Sequence, residues 1–139
     1  MKQILIDTNI VLDLLARRMP FYTEAAELFS LADKKIIVLS LSSLSLANTH
    51  YVLARFKPES ASRRILRNFK VLVSVLSFDE KIADLALNSD FKDFEDAIQY
   101  FTAIENEQEL IVTRNMSGYR NSRLPVMTAR EFIESLENR

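Results

Sequence analysis

The chain contains no cysteine, which excludes disulfides, thiolate nucleophiles and zinc–thiolate sites and makes a reducing cytoplasm the expected setting. Its one glycine, Gly118, cannot spell a P-loop or a dinucleotide-binding fingerprint, both of which need several. Its one histidine, His50, cannot build a histidine-rich metal site. Nor does His50 complete a hydrolase triad with Ser43 or Ser45, because no nucleophile elbow surrounds either serine. No apolar run is long enough to span a bilayer, and Asp7 breaks the first apolar segment too early for a signal peptide. Carboxylates, amides, hydroxyls and cations are what remain for chemistry.

The 139 residues are long enough for a sizeable core and are expected to form one domain over 1–139. Near the start, Ile4-Leu5-Ile6 ends abruptly in Asp7-Thr8-Asn9. A short, fully apolar run reads as a buried parallel strand, and ligands bind beyond the carboxyl ends of such strands. Ile10, Val11, Leu14 and Leu15 follow at helical spacing, so Asp7 falls in a strand-to-helix turn.

Strands and helices then alternate with short connections. Pro20 opens an amphipathic stretch from Phe21 to Lys34, and Ile36 to Ser40 reads as a strand. Helices are expected from Ser42 to Phe56 and from Pro58 to Phe69, followed by a strand over Lys70 to Leu76. Asp79 suits the N-cap of a helix reaching Asn88, and another helix begins near Asp93. Leu110 to Thr113 and Val126-Met127 are the last strand-like runs, and Thr128 with Glu131 makes a capping box for the final helix. This order predicts an α/β chain around a parallel sheet with right-handed crossovers.

Charge is segregated although the net charge is only −1. Arg55, Lys57, Arg63, Arg64, Arg67 and Lys70 are opposed locally by Glu59 alone, whereas acids dominate Asp79 to Glu109. A basic stripe suits a nucleic-acid backbone and equally suits a solvated helix face. Arg114, Arg120 and Arg123 form a second basic group beyond the fourth strand.

Asp93 and Asp96 share a helix face and are the candidates to join Asp7. Asp93 taken alone reads more simply as an N-cap, whereas Asp96 lies among apolar residues and needs a partner. A hard divalent cation such as Mg²⁺, held by two or three carboxylates and water, would satisfy them.

Three motifs in order, Asp7-Thr8-Asn9, Glu95-Asp96-Ala97-Ile98-Gln99 and Thr113-Arg114-Asn115, resemble those of PIN-domain proteins, in particular the VapC-type toxin ribonucleases. The resemblance covers essentially the whole chain. It implies an α/β/α sandwich around a parallel sheet of four to five strands and a metal-dependent RNA endonuclease using Mg²⁺ or Mn²⁺. A homodimer and inhibition by a cognate antitoxin protein are implied as well. By the same resemblance, Asp7, Asp96 and Asp93 would hold the metal, with Asn115 and Asn48 assisting. Thr8, Asn9 and Thr113 would orient these groups. From the charge pattern, Arg55, Arg63, Arg64 and Arg67 are expected to contact RNA phosphates or an acidic partner, and Arg114 and Arg120 to contact RNA beside the site.

The chain also departs from that pattern. The family's usual second acid falls on Asn48, its fourth on Asn115, and a nearby position that often carries aspartate is Gly118. An amide oxygen can ligate a hard cation but brings no charge. Weakened metal binding is therefore expected. The alternative is a catalytically impaired PIN-like module that binds nucleic acid or protein.

Overall fold

The computed structural model describes residues 1–137. Five strands form one parallel sheet: β1 (Lys2–Ile6), β2 (Ile37–Ser42), β3 (Ser74–Leu76), β4 (Leu110–Val112) and β5 (Val126–Met127). Their spatial order is β3-β2-β1-β4-β5. The helices are α1 (Thr8–Leu15), α2 (Tyr22–Asp33), α3 (Ser43–Leu53), α4 (Glu59–Phe69), α5 (Glu80–Leu87), α6 (Phe94–Glu105) and α7 (Ala129–Glu137).

β1 is central because it is apolar on both faces. Ile4 and Ile6 pack into a cluster with Ile10, Leu28, Phe29 and Phe132, from α1, α2 and α7. Leu5 points the other way, to Tyr100 and Ala103 of α6 and to Tyr119. Side chains alternate across a strand, so one continuous apolar run serves both layers. Each of these three residues is fully buried, which contributes roughly 1.5–3 kcal/mol per side chain. The helices thus cover both faces of the sheet, as the α/β/α expectation requires.

The strand order places a topological switch beside β1. From β1 the chain goes by way of α1 and α2 to β2 on one side, while β4 pairs on the other, with Ile6 opposite Val112. Asp7 N donates to Val112 O at 3.0 Å, and Thr113 N donates to Met127 O at 3.0 Å. The ends of β1 and β4 are therefore locked side by side, and the residues just beyond them open into the crevice where ligands bind in such sheets.

Most expected elements are present within a residue or two, but the third strand is shorter than expected. Lys70–Leu72 forms a 3-10 turn and only Ser74–Leu76 joins the sheet. β3 is an edge strand paired with β2 alone, and Val71 is 85% exposed, so the apolar residues of this stretch are not all core residues. Pro20 precedes α2 by two residues and does not form its first turn. Asp79 caps α5 through Ile82 N at 2.9 Å. The Thr128–Glu131 box closes in both directions, at 2.9 and 3.1 Å.

Candidate active site

Asp7 is the N-cap of α1, with its backbone still extended at φ −75° and ψ 159°. Oδ1 accepts from Thr8 N at 2.7 Å, while Oδ2 accepts from the Thr113 hydroxyl at 2.8 Å and the Tyr119 hydroxyl at 3.0 Å. Thr113 Oγ1 also accepts from Asn9 Nδ2 at 3.3 Å and Asn115 N at 3.0 Å. Both of those are N–H donors, so the threonine's own proton is committed to Asp7. Burial pushes the Asp7 carboxyl above the usual range despite these bonds, and the Asp93 charge pushes the same way.

Asp96 lies in the first turn of α6, capped by Asp93, whose Oδ1 accepts Asp96 N at 2.9 Å. Partial burial first, then the charges of Asp7, Asp93 and Glu95, push the Asp96 carboxyl up to about 7. A cleft of about 360 Å³ opens here, lined by Asp93, Asp96, Asn115 and Gly118, with Lys92 and Arg120 among its other walls. Gly118 belongs to a 3-10 turn, Met116–Tyr119, that follows β4. A Cβ at Gly118 would overlap Asp96 Oδ2 and come within 2.9 Å of Asn115 Nδ2. The bare glycine backbone is what lets the Asp96 carboxylate lie where it does.

A neutral network ties together the elements that carry these groups. The Thr8 hydroxyl donates to Ser45 Oγ at 2.8 Å, and Gln99 Nε2 donates to the same oxygen at 2.7 Å. Thr8 adjoins Asp7, Ser45 precedes Asn48 by three residues on α3, and Gln99 follows Asp96 by three on α6. Asn48 is half-buried on the helical face shared with Ser45 and does not line the cleft. Asn115 is exposed at the cleft edge, where its Oδ1 accepts from Ser117 Oγ at 3.1 Å.

The basic residues are distributed differently. Arg114 turns away from the cleft: its Nε and Nη2 donate to the buried Asp13 at 2.7 and 3.0 Å, and its guanidinium stacks 3.9 Å from the Phe21 ring centroid. Arg18 completes that cluster at 3.1 Å from Asp13. Arg120 lines the cleft; Arg55, Arg63, Arg64 and Arg67 do not. Arg55 stacks on Tyr51, and Arg63 pairs with Glu59, which also contacts His50.

Sequence reasoning missed Tyr119, Ser45 and Asp13. Ser45 and Asp13 lie on apolar helix faces where a polar residue needs a partner, which is a readable signal. Tyr119 carries none beyond its position after the lone glycine.

The hard cation implied by the resemblance meets a compatible donor set. The charge of Asp7 raises the cost of ionising Asp96, and that of Asp93 raises the cost for both, which a bound cation would relieve; Mg²⁺ is ordinarily held by one or two carboxylates with several waters. Asp93 adds a third negative charge nearby. Among the described residues, no group of three or more histidine or acidic side chains could hold a metal ion by itself. The fit is thus to a largely hydrated ion.

A family model described as "PIN domain" matches residues 3–117. No curated protein sequence matches. Among solved structures, the DNA-bound VapBC of Salmonella typhimurium superposes with a TM-score of 0.69 at 14% identity, over 93% of this chain and 99% of that one. VapBC2 of Rickettsia felis, bound to a DNA fragment from its promoter, gives 0.64 at 18% identity, over 89% and 96%. VapC20 of Mycobacterium tuberculosis, a toxin that cleaves the sarcin-ricin loop, gives 0.61 at 18% identity, over 78% and 86%. At these identities the likeness is one of fold.

Proposed function

This chain belongs to the PIN-domain family, and on that premise we propose that it is a metal-dependent endoribonuclease, the toxin of a toxin–antitoxin pair. The observation that carries the proposal is the pairing of Asp7 and Asp96 at the switch point. Two carboxylates from different elements converge on one site: burial first and then the Asp7 charge push the Asp96 carboxyl up, burial and the Asp93 charge push Asp7 up, and no cation is bonded to either among the described residues. Carboxylates clustered in a cleft with raised pKa values and no cationic partner mark a candidate functional site. Fold neighbours include VapBC complexes and the toxin VapC20, which supports the toxin role and an antitoxin partner; a homodimer and a cytoplasmic setting belong to the same reading.

In this reading Asp7 and Asp96 hold Mg²⁺ or Mn²⁺, with Asp93 contributing charge and Asn115 an amide oxygen. When bound, the ion supplies an activated water and neutralises charge at the scissile phosphate. Thr8, Asn9 and Thr113 fix the Asp7 carboxylate through the bonds described above. Lys92 and Arg120 on the cleft walls take flanking RNA phosphates, for which they are long enough and unpaired among the described residues.

The test is RNA cleavage with and without Mn²⁺ by the wild type and Asp7→Asn. Cleavage should require the ion and vanish in the variant, whose circular dichroism should be unchanged; a folded and fully active Asp7→Asn protein rules the centre out. The neutral Asn48 and Asn115 favour a second reading, a PIN-like module that binds RNA or antitoxin without cleaving. Tight RNA binding with no uptake of Mn²⁺ would support it.

A further inference from the structure

Tyr119 is a buried phenol at the centre of the site, and nothing above requires its hydroxyl. The ring packs into the apolar cluster that holds Leu5 and Tyr100, with Phe91 edge-on at 6.4 Å between centroids. Phenylalanine would fill that space equally well. A hydroxyl placed there needs a partner, and its partner is Asp7 Oδ2, at 3.0 Å. The same oxygen takes the Thr113 proton at 2.8 Å. The two donors come from different elements, Thr113 from the end of β4 and Tyr119 from the 3-10 turn beyond it. Two donors fill the lone pairs of Oδ2, whereas Oδ1 has a single donor, Thr8 N, and one lone pair free.

We infer that the Tyr119 hydroxyl is a positioning group for Asp7: with Thr113 it fixes Oδ2 against the protein, so that Oδ1 is the oxygen left to face a ligand. The consequence for metal binding rests on the function proposed above; the positioning itself does not. Without the Tyr119 hydroxyl the carboxylate would keep one donor at each oxygen, Thr8 N and Thr113, which leaves it freer to rotate than when Oδ2 is held from two sides. The neighbouring Gly118 acts on the other carboxylate, since its missing Cβ makes room for Asp96. The Gly118-Tyr119 pair thereby sets both acids from one turn.

The experiment uses the full chain labelled at its aspartates, with the Asp7 resonances assigned as those absent from Asp7→Asn. In the metal-free wild type, side-chain couplings should show a single Asp7 rotamer, and Tyr119→Phe should average it. Tyr100→Phe, which removes the other hydroxyl of the same cluster, should leave Asp7 unchanged. Calorimetric Mg²⁺ titration should show about tenfold weaker binding in Tyr119→Phe, the usual cost of losing an outer partner of a ligand. An Asp7 rotamer unchanged in Tyr119→Phe overturns the inference whether or not metal binds. A wild type that takes up no Mg²⁺ but loses its Asp7 rotamer in Tyr119→Phe overturns the proposed function and supports the positioning role. Should Tyr119→Phe fail to fold, the wild type decides: a protected Tyr119 hydroxyl proton that shifts in Asp7→Asn supports the inference, and its absence overturns it.

Discussion

The Asp96 carboxylate occupies the space that a side chain on Gly118 would need. Gly118 has no positive φ, so its backbone suits any residue, and the nearest obstacles to a Cβ are the Asp96 carboxylate and the Asn115 amide. Gly118→Ala should therefore keep the fold, with stability within about 1 kcal/mol of wild type, because alanine restricts the unfolded chain at a compatible backbone position. Asp96 would have to swing away, and Mn²⁺ binding should weaken by roughly tenfold. Thermal melts and Mn²⁺ titration check the two halves separately; unaltered Mn²⁺ affinity would mean that the position of Asp96 is not critical.

Metal binding should depend on pH through Asp96, whose carboxyl is pushed up to about 7. A protonated carboxyl must lose its proton to ligate, so affinity should climb as pH rises toward 7 and level off above it. For the metal-free fold the sign is opposite. A carboxyl whose folded pKa lies above its ordinary 3.8 gives stability that is complete below 3.8 and lost as pH rises through about 7. Metal-free Asp96→Asn should accordingly melt higher than wild type at pH 8 and lose that advantage near pH 4. Parallel melting curves across this range would contradict it.

The sheet and most helices were legible because their signals are local: uninterrupted apolar runs for β1 and β4, and capping residues at Asp79 and Thr128. The third strand was overestimated because Val71 is as apolar as a core residue yet faces solvent at the sheet edge. The candidate carboxylates were legible from a strand end and a helix start. Tyr119, Ser45 and Gln99 were not read as partners because their pairing depends on how α3, α6 and the 3-10 turn meet over β1. No spacing along the chain reports that meeting. Arg114 shows the same limit: its neighbours in sequence suggest phosphate contact, while its contacts in space are Asp13 and Phe21.

That difference separates two arginines experimentally. Arg120→Gln should leave stability unchanged, weaken RNA binding, and reduce the slope of log affinity against log salt by roughly 0.7, the share of one single-strand phosphate contact. Arg114→Gln should instead destabilise the fold, because Asp13 is 1% exposed and would keep only Arg18 as a partner. Up to roughly 3 kcal/mol is expected, below the cost of leaving a buried charge wholly unpaired. Denaturant melts and filter binding over a salt series distinguish the two; an Arg114→Gln protein as stable as wild type would show that Arg18 suffices.

Asn48 offers the sharpest separation between a weakened nuclease and a binding module. It is half-buried on α3, three residues past Ser45, whose hydroxyl links to Thr8 beside Asp7 and to Gln99 beneath Asp96. Residues three apart on a helix share a face, so Asn48 is directed to the same side of α3 as that link. Asn48 is not among the residues that line the cleft, and glutamate adds one methylene and a negative charge. Asn48→Glu should therefore tighten Mg²⁺ and Mn²⁺ and raise cleavage. The gain should grow with pH, because a further carboxylate beside Asp7 and Asp96 resists ionisation until a cation offsets the repulsion. At an effective dielectric near 20, a charge about 4 Å from a divalent ion is worth several kcal/mol before desolvation, well within calorimetric reach. Without metal the same repulsion should lower the melting temperature above pH 7, and saturating Mn²⁺ should recover it by mass action. An Asn48→Glu protein that is destabilised and not rescued by Mn²⁺ would place residue 48 outside the site and favour the non-cleaving module.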